Sequence, residues 1–121
     1  MHWTTFFVLL ALTAFFVLLK RAGRIPLADA RKHLKNGALL IDVRTGGEFV
    51  SRHLPRAINL PLNEIDAILP CRVLDKSQVL LVHCQSGLRS GIAKKKMKAL
   101  GYANVFNLGP YARAAQVLNS K

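Results

Sequence analysis

The chain has 121 residues, 51% of them apolar, and a formal net charge of +12, but apolar and charged residues are segregated. Residues 1–19 contain 15 apolar residues and no Lys, Arg, Asp or Glu, so the other 102 residues carry all 18 Lys/Arg and all six Asp/Glu. This pattern excludes a disordered chain, a multi-spanning membrane protein and a pair of ordinary domains, and two cysteines are too few for a disulfide framework.

Residues 3–19 read WTTFFVLLALTAFFVLL and are followed at once by Lys20, Arg21 and Arg24. As a helix they would span about 25 Å, the short end for a bilayer core of about 30 Å. A cleaved signal peptide would need a basic start and small residues at its end, and a buried helix would need a polar face. The expectation is therefore a transmembrane anchor over residues 1–20, a basic linker over 21–24 and one domain over 25–121. With Lys20, Arg21, Arg24, Arg31 and Lys32 all after the span, the positive-inside rule places the domain in the cytosol. A single-pass protein of the inner (cytoplasmic) membrane follows, with its cysteines as thiols.

Along the domain, residues 25–37 read as a short helix started by Pro26 and closed by Gly37. Residues 38–43 are a continuous apolar run, the mark of a buried parallel strand. Gly46-Gly47 breaks the chain, and residues 48–52 make one helical turn or two. A short strand over 57–60 and a short helix over 64–69, ended by Pro70, follow. Residues 79–83 form the second fully apolar strand. Residues 90–100 form a helix with Ile92, Ala93, Met97 and Leu100 toward the core and Lys94, Lys95 and Lys98 outside. A strand over 104–108 and a helix over 111–118 complete the domain. Strands alternating with helices predict an α/β fold with a parallel sheet.

The segment from Val79 to Leu100 carries the chemistry. A buried strand delivers Cys84 to the C-terminal edge of the sheet, where open α/β folds place ligand sites. Gln85, Ser86, Gly87, Leu88 and Arg89 then lead into a helix. Such a loop can aim backbone N–H groups at the sulfur, and the helix N-terminus and Arg89 favour the nucleophilic thiolate. Cysteine phosphatases resemble His-Cys-X5-Arg, a loop wide enough for a tetrahedral phosphate. Here His83-Cys84 is followed by four residues before Arg89, a shorter loop.

Several ordered motifs resemble the single-domain rhodanese family. Leu40-Ile41-Asp42-Val43-Arg44 with Glu48-Phe49 is similar to its DVR…E-F signature, and residues 53–61 to its H-I-P-G-A-x-N-x-P segment. Residues 83–90 resemble its active loop, and the similarity extends over about residues 25–118. The resemblance implies a parallel sheet flanked by helices and a sulfurtransferase that needs no cofactor. It implies that Cys84 takes the outer sulfur of a small anionic donor such as thiosulfate as a persulfide. A thiol, a thiol-bearing protein or cyanide would then accept that sulfur. Residues 85–89 would cradle the persulfide, Arg89 would help bind the donor, and Asp42, Arg44 and Glu48 would support the loop. Three departures stand out: Arg56 where the family usually has Gly, Gly109-Pro110-Tyr111 where a Gly-Gly pair is common, and the absence of the usual late Trp. The last two lie in the region that the resemblance implies closes over the active site.

Other residues are read more plainly. His83 is expected to be a packed core histidine and Cys71 a structural or incidental thiol. His33 and His53 are scattered, no ligand spacing suggests zinc, and no metal is expected. The Lys94–Lys98 run is a solvated helix face, a surface for anionic lipid, or a means of steering anionic donors. The +12 charge also raises nucleic-acid binding, but no aromatic interleaving or known motif accompanies it, and nucleic acid is not an expected partner. Two other functions compete: a non-catalytic rhodanese module tethering a partner at the membrane, and a cysteine phosphatase or arsenate reductase.

Overall fold

The structure, a computed structural model, describes residues 2–119. Met1 and residues 120–121, which lie in the expected 1–20 and 25–121 divisions, are outside it, as are the side chains of residues 19–22. Helix α1 (His2–Ala22) forms where the apolar run lies. Thr5 and Thr13 return their hydroxyls to the carbonyls of His2 and Leu10, each at 2.8 Å, so neither interrupts the helix. The side chains of Trp3, Phe6, Phe7 and Phe15 are exposed, and none joins a core cluster. Among the described residues no helix is long and apolar enough to cross a membrane. The spanning anchor, the inner-membrane location and the cytosol-facing single-pass topology expected from the sequence are corrected accordingly.

The domain follows the order α2 (Leu27–Lys35), β1 (Leu39–Asp42), α3 (Gly46–Ser51), β2 (Ile58–Asn59), a 3-10 turn (Leu62–Glu64), α4 (Ile65–Arg72), β3 (Leu80–His83), α5 (Leu88–Ala99), β4 (Val105–Gly109) and α6 (Tyr111–Asn119). All strand pairs are parallel, in the order β2-β1-β3-β4. The two fully apolar runs, β1 and β3, lie side by side in the centre, as strands buried on both faces require. Ile41, Val43, Leu80, Val82 and Val105 face α4 and α5, packing on Ile65, Leu69, Ala93 and Met97. Leu40, Leu81 and Leu108 pack on Ala30 and Leu34 of α2 and on Ala114 and Val117 of α6. Helices thus cover both faces of one sheet, the expected α/β architecture.

Three local expectations fail. Gly46-Gly47, expected to break the chain, instead open α3, because Thr45 and Glu48 form a capping box at its start. Pro70 lies inside α4 rather than ending it. A proline forbids only its own N–H bond and crowds the carbonyl four residues back, so the helix continues if its end is held otherwise. Here Val73 N–H donates to the Leu69 carbonyl at 2.9 Å, and the Tyr102 hydroxyl donates to the Val73 carbonyl at 2.6 Å. Ile92 is exposed rather than in the core, and Ser90 is buried in its stead. The buried stripe of α5 is Ser90, Ala93 and Met97, spaced for one helical face, because the helix turns its start toward Cys84. Arg56 adopts φ 69°, the left-handed region that Gly enters at least cost, so the turn keeps its shape despite the side chain.

Candidate active site

Strand β3 ends at His83, and the next residue, Cys84, sits fully buried at the C-terminal edge of the sheet. Its N–H donates to the Gly109 carbonyl at 3.2 Å, extending the β3–β4 pairing one step. The loop beyond is gripped by the end of β4: Tyr111 N–H donates to the Gln85 carbonyl at 3.2 Å, and Ser86 bridges Pro110. Gly87 caps α5 with φ 96°. A Cβ there would lie 3.4 Å from two Gly109 backbone atoms and 3.5 Å from Pro110 Cδ. Those distances are ordinary contacts, so it is the left-handed backbone that calls for glycine.

That turn aims donors at the sulfur. Gly87 N–H lies 2.9 Å from Cys84 Sγ, and Ser90 Oγ lies 3.6 Å from it. Burial pushes the Cys84 thiol up, but hydrogen bonds from the Ser90 hydroxyl and from the Ser90, Gly87 and Ser86 amides outweigh it, and the thiol lies below its ordinary value. Positive charge at the start of α5 acts in the same direction. The Ser90 hydroxyl has one proton, and with Cys84 protonated it donates to the Gly87 carbonyl at 3.0 Å. On ionisation that proton can turn to the sulfur. Cys84 and Cys71 are both free, and Cys71 is exposed, with its thiol 3.7 Å from the Ala67 carbonyl.

The expected supporting residues gather around this loop in two pairs. Arg89 makes a two-pronged contact with Glu48 at 2.6 and 3.0 Å. Glu48 is itself fixed at the start of α3 by a capping box with Thr45. Arg89 first and then Thr45 hold the Glu48 carboxyl down at about 2. Asp42 is buried and receives Arg44 Nε and Nη2 at 2.8–3.1 Å, along with the Arg44 amide at 2.9 Å. Arg44 then reaches the Arg52 carbonyl at 2.6 Å and Gln85 Oε1 at 3.5 Å, which ties this pair to the loop. Tyr111 lies against the guanidinium groups of Arg44 and Arg52, at 4.9 and 5.0 Å. His83 is buried, 3.8 Å from Asp42 through Nε2, and burial lowers its pKa. Gln85, Ser86 and Leu88 are exposed on the outer side of the loop. Among the described residues no three His, Cys, Asp or Glu side chains cluster as metal ligands.

This arrangement can stabilise negative charge on Cys84 and on an atom bonded to it. Residues 26–109 match the rhodanese-like domain family. The chain belongs to that family.

Among rhodanese-like relatives, thiosulfate sulfurtransferase PspE of Escherichia coli is 38% identical over 69 residues, 57% of this chain and 66% of that protein. The chain thus spans just under two thirds of that relative's length. Thiosulfate sulfurtransferase GlpE of Pseudomonas savastanoi pv. phaseolicola is 32% identical over 85 residues, covering 70% of this chain and 78% of that protein. A rhodanese from E. coli, solved with anions, superposes with a TM-score of 0.61 at 34% identity, over 64% of this chain and 91% of that one.

Two residues contribute to the rhodanese-like loop through contacts that their positions in the sequence do not show. Ser90 ends the 83–90 segment that carries the resemblance, but only the turn at Gly87 carries its hydroxyl back toward the sulfur. Tyr111 lies 67 residues from Arg44 along the chain, and only the sheet brings β1 and β4 to the same end of the domain.

Proposed function

We propose that the chain is a rhodanese-type sulfurtransferase in which Cys84 carries the sulfur. The observation that supports this most directly is the buried thiol at the start of α5, held by Gly87 N–H at 2.9 Å and kept below its ordinary pKa. The Cys84 thiolate attacks the outer sulfur of a donor such as thiosulfate. The S–S bond of the donor breaks, sulfite leaves with the electron pair, and Cys84 holds a persulfide. A thiolate or cyanide then attacks the outer sulfur, and Cys84 departs as thiolate. The amides of residues 85–89 cradle the charged outer sulfur, an oxyanion-hole type of stabilisation. Arg89 assists the anionic donor with part of its charge balanced by Glu48, while Asp42 and Arg44 hold the loop from below. The catalytic unit in this reading is the domain from residue 25 onward.

Incubation with thiosulfate should add one sulfur to Cys84 by mass spectrometry, with thiocyanate formed on addition of cyanide. Cys84→Ser should abolish both while the fold, followed by circular dichroism, is kept. A folded wild-type protein that gains no sulfur from any sulfane donor would sink the reading. The complete burial of Cys84 favours one alternative, a binding module without turnover. That reading predicts a protein partner retained equally by wild type and Cys84→Ser.

A further inference from the structure

Beside the loop lies a feature that sulfur chemistry on a small donor does not use. A cavity of about 450 Å³ runs from Gly87 and Leu88 along α5, walled by Lys94, Lys95 and Lys98. A second, of about 550 Å³, continues over the outer edge of β4 toward α2, where Arg24, Lys32 and Asp29 line it. Lys94 and Asn107 line both, so the two adjoin and form one groove across the β4 edge of the sheet. Five Lys/Arg residues line it against one carboxylate residue, Asp29, and among the described residues none of the five forms an ion pair. Lys94 is not a solvated surface lysine: it is half-buried, and burial followed by the charge of Lys98 lowers its pKa.

The groove is too long and too mixed for a small ion. From Leu88 to Lys98 alone it follows ten residues of helix, about 15 Å. Leu88 and Ile92, one turn apart, are exposed apolar side chains at its loop end. At its far end His33 stacks on Phe106 with ring centroids 5.0 Å apart. Apolar footholds at both ends and unpaired cations between them match a polypeptide carrying both kinds of side chain.

We propose that this groove docks an acidic segment of a protein and brings its thiol to the Cys84 persulfide. The inference rests on the sulfur-transfer reading above and names the class of acceptor. In the transfer the partner's thiolate attacks the outer sulfur of the Cys84 persulfide. The S–S bond breaks with its electron pair going to Cys84 Sγ, and the partner leaves as a persulfide, with no net oxidation or reduction.

The test uses the full chain and a short Glu- and Leu-containing peptide ending in cysteine, compared with its Gln-for-Glu counterpart. Cys84 is first loaded with thiosulfate and freed of excess donor, so that the donor step is not read. Discharge to the acidic peptide should exceed discharge to the Gln peptide by about tenfold at low salt, a preference that shrinks as salt is added. Lys98→Glu, at an exposed position, and Lys94→Glu should each remove most of that preference yet leave discharge to neutral dithiothreitol unchanged. Arg72→Glu, the same charge change on α4 and outside the groove, should leave the preference intact.

Binding of a Ser-for-Cys acidic peptide to the unloaded protein, followed by fluorescence anisotropy, reads the groove without the chemistry. If Cys84 never loads, the sulfur-transfer reading fails, whereas equal discharge to both peptides from a loaded protein overturns the groove alone. Equal loss of preference in Arg72→Glu would reduce the effect to net charge and overturn it too. Displacement of the acidic peptide by a single-stranded oligonucleotide at far lower concentration would reassign the groove to nucleic acid.

Discussion

At Cys84, burial and hydrogen bonding act on one proton in opposite directions, and the three amides and the Ser90 hydroxyl prevail. Removing one donor should therefore be visible. In a Cys71→Ser background, which removes the exposed thiol, Ser90→Ala should move the pH profile of Cys84 alkylation to higher pH. Its rate at neutral pH should fall by about tenfold, the low end of the about 1.5–3 kcal/mol that one charge-assisted hydrogen bond contributes. An unchanged profile would show that the amides alone set the thiol. The cysteine and its loop were legible in the sequence because strand, glycine and arginine are contiguous there. Ser90 was not, since its reach to the sulfur depends on the left-handed turn at Gly87.

Helix α5 shows how far periodicity alone can place a face. Its ends agree with expectation to within about two residues, but its apolar pattern is weak, with lysines interspersed throughout. Several rotations of such a helix bury similar apolar area, and the choice passes to long-range contacts. Ser90 toward the sulfur and Gly91 beside Asn107, where a Cβ would lie 3.7 Å from Nδ2, put Met97 inside and Ile92 outside. Met97→Ala should accordingly lower the urea-unfolding free energy by about 2–4 kcal/mol, as core truncations do, and Ile92→Gln by less than about 0.5 kcal/mol. A comparable loss from both would return Ile92 to the core. Helix α4 makes a similar point. Pro70 is a strong local stop, yet Tyr102, 32 residues later, supplies the hydroxyl that holds the helix end beyond it.

The whole domain carries far more positive than negative charge, and two of its six carboxylates are spent beside the loop. Asp42 and Glu48 pair with Arg44 and Arg89. Glu48 is depressed from 4.5 to about 2, so its contribution to stability is fully present above about pH 4.5 and is withdrawn as pH falls toward 2. Glu48→Gln should consequently show a shallower loss of stability across that window than wild type, followed by urea midpoint against pH. Because Glu48 and Arg89 are about one-third exposed, the difference should be modest and reduced by salt. Parallel slopes in the two proteins would mean that the pair contributes nothing to acid stability.

Read alone, the sequence determined the α/β class, the central apolar strands, the Cys84 loop and the rhodanese-like resemblance, because each is written in residues adjacent along the chain. The tertiary structure decided what depends on distance: the burial of Cys84, the reach of Ser90, the phase of α5, and a groove assembled from α2, β4 and α5. Nor, among the described residues, does it contain a helix long and apolar enough for the expected membrane span. Contiguous runs and spacings report local preference, whereas burial, pairing and cavity walls arise only when segments far apart in sequence pack against one another.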